Sequence, residues 1–170
     1  WVVMSAGTGG TSATIGRFIR YRGDLSSKTQ LCVADPENSV FYDHYVTRDP
    51  DLRIKGRSRI EGIGRPRVEA SSQPRVIDRM MQVPDAASLA TIHWLEGMLG
   101  RKCGGSTGTN VWAALHLMAE MREAGRAGSV ATLICDGGER YLDTYYNPGW
   151  LEAQGLDLAP HLETIARLTA

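Results

Sequence analysis

Apolar positions along the chain fall into short runs divided by glycine turns and by segments of helical period. Trp1 to Ser5 is an apolar run that stops at Gly7-Thr8-Gly9-Gly10, and Ile15, Phe18 and Ile19 behind it keep helical spacing up to about Arg22. After a polar stretch from Gly23 to Thr29, Leu31-Cys32-Val33-Ala34 reads as a second strand, stopped by Asp35-Pro36, so the opening predicts a βαβ unit. Residues 37–73 lack periodicity and are rich in Arg, Asp, Ser and Gly, which predicts loops with room for a turn of helix, the kind of long irregular stretch that carries function or contacts. Met80 to Val83 predicts a short strand, and Pro84-Asp85 opens a helix whose Leu89, Ile92, Leu95 and Leu99 share a face until Gly100. Ser106 and Thr107 suit the N-cap of a further helix with Val111, Leu115 and Met118 on one face, closed by Gly125. Val130 to Cys135 is the clearest strand in the chain, and residues Leu162 to Leu168 read as a helical tail. The alternation predicts one α/β domain over residues 1–170, an open and mostly parallel sheet flanked by helices, with ligands at the carboxyl ends of the strands.

Composition narrows the partners. Nineteen Lys+Arg balance nineteen Asp+Glu, so the chain has no basic field for nucleic acid or an anionic membrane, and no apolar run approaches the ~20 residues of a membrane span. A small molecule or another protein is the expected partner. Cys32, Cys103 and Cys135 are odd in number and widely spaced, which argues against a disulfide framework and a zinc site and suits a reducing cytoplasm. His44, His93, His116 and His161 lack metal-ligand spacing, so they are expected at the surface or in packing roles, and no metal is expected. Because Trp1 opens directly on a strand-like run, the chain is expected to begin within a longer protein.

The strongest local chemistry is Gly7, Thr8, Gly9, Gly10 and Thr11. Glycines let the backbone turn tightly and aim successive N–H groups at an anion, the following helix adds its positive end, and two threonine hydroxyls suit a phosphate. A dinucleotide fingerprint would need a third glycine where Ser12 stands, although Asp35 at the end of the next strand has the place of a ribose-binding acid, and a P-loop fails because no Gly-Lys-Ser/Thr follows. Gly104-Gly105-Ser106-Thr107-Gly108 is a second glycine loop entering a helix, brought near the first by the sheet architecture; Ser106 there is either an N-cap or a ligand contact.

Five segments in order, Ser5 to Thr11, Glu61-Gly62-Ile63-Gly64, Glu96-Gly97, Gly104 to Gly108 and Asp136-Gly137-Gly138-Glu139-Arg140-Tyr141-Leu142, resemble the cysteine synthase and cystathionine β-synthase family. The resemblance covers nearly the whole chain and implies part of the large domain of a fold type II pyridoxal 5'-phosphate enzyme. It implies that Gly7, Thr8, Gly9, Gly10 and Thr11 cradle the cofactor phosphate and that Ser106 meets the pyridine nitrogen. It further implies a homodimer, for which the aromatic segment from Tyr141 to Trp150 is a candidate contact. The family's Schiff-base lysine and substrate-carboxylate loop precede the phosphate loop, and Lys28, Lys55 and Lys102 stand in no such context, so no catalytic residue is expected here and the segment alone is expected to be inactive.

The implied reaction is β-replacement: an O-activated serine loses its α-proton and leaving group, a sulfur nucleophile adds, and cysteine or S-sulfocysteine results. Gly64-Arg65-Pro66-Arg67 departs from the common family pattern, and the guanidinium forks of Arg65 and Arg67 suit O-phosphoserine as donor or thiosulfate as nucleophile, against the plainer role of solvated or ion-paired surface arginines. The rival reading is a non-catalytic nucleotide-binding module that uses Gly7 to Thr11 for phosphate and Asp35 for ribose.

Overall fold

The computed structural model describes every residue except Ser27, with backbone only for Leu25 and Ser26. Strands β1 (Val2–Ser5), β2 (Leu31–Pro36), β3 (Arg79–Val83) and β4 (Ala131–Thr132) form one parallel sheet in the order β3-β2-β1-β4. The register runs from Val2 beside Leu31 to Ser5 beside Ala34, and from Cys32 beside Arg79 to Pro36 beside Val83. The predicted α/β fold with a mostly parallel sheet is therefore the observed one.

The strand pattern follows from burial on both faces. Every residue of β2 is buried, as expected of a parallel strand with helices above and below. Successive side chains enter opposite layers: Val3, Cys32 and Ala34 pack with Trp112, Leu117 and Ile165, whereas Met4, Leu31 and Val33 pack with Ile19, Val40 and Phe41. The first layer is built by helices α5 (Gly105–Glu123) and α7 (Ala159–Thr169), the second by α1 (Gly10–Tyr21) and α3 (Phe41–Thr47). Helix α4 (Asp85–Leu99) lies against α5, and the Ser88 and Thr109 hydroxyls meet at 2.7 Å between them. This close approach requires Gly108, because a Cβ there would fall against the Ser88 carbonyl and 2.9 Å from Ile92. Gly100 ends α4 in the left-handed conformation, its N–H donating to the Glu96 carbonyl. A single turn α2 (Gly23–Ser26) falls within the stretch read as polar linker, of which Ser27 lies outside the described residues, and α6 (Pro148–Ala153) precedes α7.

Several expectations change. The strand read from Val130 to Cys135 is only Ala131–Thr132, because pairing with β1 is confined to Val2 and Val3 and the chain then bends to bring the Cys135 N–H to Thr107 Oγ1 at 3.0 Å. Helix α3 lies inside the segment read as loops; the Asp35 carboxylate, at the end of β2, accepts the Ser39 hydroxyl at 2.7 Å and the Tyr42 N–H at 2.8 Å and so organises its start. Phe18, Leu99 and Met118, expected on buried faces, are exposed, and small residues such as Ala13, Gly16, Ala113 and Ala114 face the interior instead. In the segment from Tyr141 to Trp150, Tyr141 and Tyr145 are buried in a third internal cluster with Ile60, Leu89 and Ile92, while Tyr146 and Trp150 are only partly buried against it.

Candidate functional site

Beyond Ser5 at the end of β1 the chain turns through Gly7 to Gly9 into α1. Gly9 is the N-cap at φ 89°, and no side chain caps this helix, so the first-turn N–H groups keep their donors for a ligand and the helix dipole adds to them. Only glycine fits at this position, since a Cβ would also lie 2.8 Å from Ser72 Cα. The neighbouring segment closes on the turn through the Ser71 hydroxyl, which donates to the Thr8 carbonyl at 2.7 Å. Ser12, where a dinucleotide fingerprint would place glycine, is buried and donates its hydroxyl to the Gly9 carbonyl at 3.0 Å.

A second helix start faces the same space. The N-cap of α5 is Gly104, again without a side-chain cap, which puts Ser106 and Thr107 inside the first turn rather than at the cap. Gly7, Thr8, Gly9, Gly10, Thr11 and Ser106 thus line one cavity of about 410 Å³, together with Asn110, Leu133, Cys135, Asp136, Arg140 and Tyr141. The Ser106 hydroxyl has no protein hydrogen-bond partner among the described residues. Asn110 is wholly buried; its Nδ2 donates to the Leu133 carbonyl at 3.3 Å and reaches Cys135 Sγ at 3.5 Å, while its Oδ1 has no partner. Asn110 stands one helical turn beyond Ser106, and that spacing is the signal that would have disclosed it.

The opposite wall is Glu61, Gly62 and Ile63, tied to the glycine loop by the Gly64 N–H, which donates to the Ala6 carbonyl at 2.9 Å. The Tyr145 hydroxyl donates to the Arg59 carbonyl at 2.7 Å and accepts the Glu61 N–H at 2.9 Å, fixing the turn from both sides. Its ring stacks on Tyr141 at 4.6 Å, and the Tyr141 hydroxyl donates to Asp136 Oδ2 at 2.7 Å. Burial and the adjacent Asp136 carboxylate both raise the Tyr141 pKa, so this phenol stays protonated and keeps donating. Arg140 completes the link with an ion pair to Glu61 at 3.0 Å.

Behind this wall lies a second cavity of about 840 Å³, lined by Gly64, Arg57, Arg59, Arg65 and Trp150 among others. Arg65 donates to the Gly64 carbonyl at 2.9 Å and pairs with Glu69 at 3.9 Å, while its Nη2 would be 3.9 Å from a Cβ on Gly7, so the guanidinium hangs beside the glycine loop. Arg67 is not brought there: it is largely exposed, pairs with Glu69 at 3.3 Å and lines neither cavity.

The remaining sequence candidates have other occupations. Asp35 is wholly buried with both carboxylate oxygens engaged by Ser39 and Tyr42, which removes the ribose contact that the nucleotide-module reading needs; burial raises its pKa to about 6. Lys102 is ion-paired with Glu96 and packs over the Tyr146 ring, Lys28 and Lys55 are exposed, and no lysine lines the cavity of the two helix starts. His44 and His93 bond backbone carbonyls, and His116 and His161 pack on Trp112. Among the described residues no group of three or more ligating side chains is placed to hold a metal, and no helix is long and apolar enough to cross a membrane.

The donor set fits a phosphate-bearing heteroaromatic ring: two uncapped helix starts for the anion, a free hydroxyl at Ser106, and an unpartnered acceptor at Asn110. Comparison with known proteins gives the same chemistry. The family model "Pyridoxal-phosphate dependent enzyme" matches residues 1–136. The chain is 57% identical over 159 residues to an L-cysteine desulfhydrase of Mycobacterium tuberculosis, covering 94% of this chain and 42% of that protein. It is 32% identical over 163 residues to cysteine synthase 1 of Emericella nidulans, covering 94% and 43%, and 30% identical over 158 residues to a cystathionine beta-synthase of Apis mellifera, covering 91% and 29%. The chain thus spans less than half the length of these curated relatives.

Proposed function

The chain belongs to the pyridoxal-phosphate dependent enzymes, and on that premise we propose that its 170 residues form the cofactor-phosphate half of an enzyme that removes or replaces a substituent on Cβ of a cysteine- or serine-type amino acid. The observation that carries this reading is the single cavity in which two uncapped helix starts, the Ser106 hydroxyl and the unpartnered Asn110 Oδ1 meet. The N–H groups of Gly7 to Thr11 and the hydroxyls of Thr8 and Thr11 would hold the phosphate, and Ser106 would meet the pyridine nitrogen. When bound, pyridoxal phosphate supplies the electron sink for the charge left at Cα. A neutral serine does not hold the ring nitrogen protonated as a carboxylate would, which weakens that sink and favours prompt loss of the Cβ substituent. The Schiff-base lysine comes from residues outside this chain, and the 170 residues alone bind and orient without catalysing. On the same reading the whole protein forms a homodimer, and light scattering of the full-length protein that gives the mass of a single subunit would overturn that part of it.

Two finer reactions follow from two observations. The 57% identity to a protein named L-cysteine desulfhydrase favours release of sulfide from L-cysteine. Arg65, held beside the glycine loop, favours an anionic reactant, either O-phosphoserine as donor or thiosulfate as nucleophile, with cysteine or S-sulfocysteine as product. The test gives the full-length, cofactor-loaded protein L-cysteine alone, O-acetylserine with sulfide, or O-phosphoserine with thiosulfate, and measures sulfide and amino-acid products. Sulfide release from L-cysteine, or a cysteine product from either pair, supports the reading; bound cofactor with no turnover of any of them overturns it.

A further inference from the structure

The larger cavity, behind the wall of the cofactor cavity, is lined by more positive charge than its surroundings balance. Four arginines, Arg57, Arg59, Arg65 and Arg140, face its space of about 840 Å³, against one carboxylate, Glu61. Glu61 is already paired with Arg140 at 3.0 Å. Arg65 has only a long pair with Glu69 at 3.9 Å, and Arg57 is exposed with no ion-pair partner among the described residues. Like charges gathered in one concave space attract anions, and guanidinium forks match the oxygens of phosphoryl and sulfuryl groups. Arg59 adds a second observation. Its Nη1 lies 3.7 Å from Asp85 Oδ2, too far for a hydrogen bond, and both Asp85 oxygens are buried without a hydrogen-bond partner. Three groups face that carboxylate: Arg59, Glu37, whose Oε2 accepts the Asp85 N–H at 3.2 Å, and Tyr145, whose phenol stays neutral because burial raises its pKa. Burial first and Glu37 next push the Asp85 pKa up to about 6, and Arg59 opposes them. Arg59 is thus shared between a carboxylate that holds it loosely and a cavity of like charge. When its guanidinium turns to an anion in the cavity, Asp85 loses its cation, and a buried carboxylate without one takes up a proton.

We propose that this cavity binds a tetrahedral oxyanion on Arg57, Arg59 and Arg65, and that each anion bound brings a proton to Asp85. Ionised Asp85 competes with the anion for Arg59, so affinity is highest where Asp85 is protonated and falls as pH rises above about 6. The two cavities share Glu61, Gly62, Ile63, Arg140 and Tyr141, so the anion sits across one turn of chain from the cofactor cavity. Arg59 is also tied to that turn through its backbone, since its carbonyl accepts the Tyr145 hydroxyl that in turn accepts the Glu61 N–H. The site itself needs only the arginines and Asp85 and does not rest on the cofactor reading given above.

The experiment titrates full-length protein with sodium sulfate by isothermal calorimetry, in two buffers of different ionisation enthalpy, at pH 5.5 and pH 7.5 on either side of the Asp85 value of about 6. Sulfate does not titrate in this range, and loading with pyridoxal phosphate keeps the glycine loop occupied. The expected result is one site whose affinity falls about tenfold between the two pH values, with close to one proton taken up per sulfate at the higher one. Asp85→Asn removes the proton uptake and the pH dependence, and binds at pH 7.5 about as tightly as wild type does at pH 5.5. Arg59→Ala weakens binding at least about tenfold at pH 5.5. The double variant Arg59→Ala, Asp85→Asn, which leaves no buried charge without its partner, shows the same loss and replaces the single variant if that one does not fold. Absence of sulfate binding, or binding that the Arg59 variants leave unchanged, overturns the site. Binding without proton uptake, or uptake that survives Asp85→Asn, overturns the coupling. A protein that takes up no cofactor overturns the functional reading instead, and the Arg59-dependent binding of sulfate then decides this proposal by itself.

Discussion

Asp85→Asn is expected to stabilise the protein at neutral pH and to have no effect in acid. Asp85 opens α4, is wholly buried, and neither carboxylate oxygen has a hydrogen-bond partner; Arg59 Nη1 is the nearest cation at 3.7 Å. Burial, with the nearby Glu37 carboxylate adding to it and Arg59 opposing, raises its pKa from 3.8 to about 6. At ~1.36 kcal/mol for each pH unit, the ionised carboxylate costs the folded state about 3 kcal/mol once pH exceeds both values. A folded pKa above the unfolded one means that the folded state binds the proton more tightly, so the penalty is absent below about pH 4, grows between 4 and 6, and is complete by pH 7. Asn keeps the shape and removes the charge. Urea unfolding of the full-length protein should therefore give the variant about 3 kcal/mol more stability at pH 8 and no difference at pH 4. A variant less stable than wild type at pH 8, or a difference that does not change with pH, would show that the Arg59 pairing outweighs burial.

Gly108→Ala drives a methyl group against the Ser88 carbonyl where α4 and α5 touch, and urea unfolding should register a loss of about 1–3 kcal/mol. Tyr141→Phe removes the donor to Asp136 Oδ2, and equilibrium dialysis should find weaker retention of pyridoxal phosphate, by about tenfold for a loss near 1.4 kcal/mol, because the cavity wall loses its tie. Arg65→Ala should lower turnover with O-phosphoserine more than with O-acetylserine, whereas Arg67→Ala, whose arginine pairs with Glu69 away from both cavities, should leave the ratio unchanged; an equal loss for both donors in Arg65→Ala rules out selective anion recognition.

The site was legible where its chemistry is local. The glycine loop at Gly7 to Thr11 and the Ser106 turn each announce themselves within a few residues, because backbone freedom and an uncapped helix start are properties of short segments. The parts that escaped are those fixed by distant partners. Helix α3 forms in an aperiodic segment because Asp35, on the preceding strand, organises its first turn. The length of β4 depends on how far β1 pairs with it, which apolarity at Leu133 and Ile134 does not reveal. Tyr145 orders Glu61 from 84 positions away, and Arg65 and Arg67 share Glu69 as ion-pair partner although only Arg65 also lies beside the glycine loop. Asn110 lay within reach of sequence reasoning through its one-turn spacing from Ser106, but its unpartnered oxygen is visible only once α5 is packed.

The proposed function rests on the loop from Gly7 to Thr11 holding a phosphate carried by the cofactor. Its most direct test compares the affinity of the full-length protein for pyridoxal phosphate with that for pyridoxal, in wild type and in the double variant Thr8→Ala, Thr11→Ala. Hydrogen bonds to charged groups contribute about 1.5–3 kcal/mol each. The wild type should prefer the phosphate ester, and the variant should lose at least about tenfold of that preference while binding pyridoxal as before. Equal binding of the two ligands by the wild type, or a preference that survives both substitutions, would contradict it.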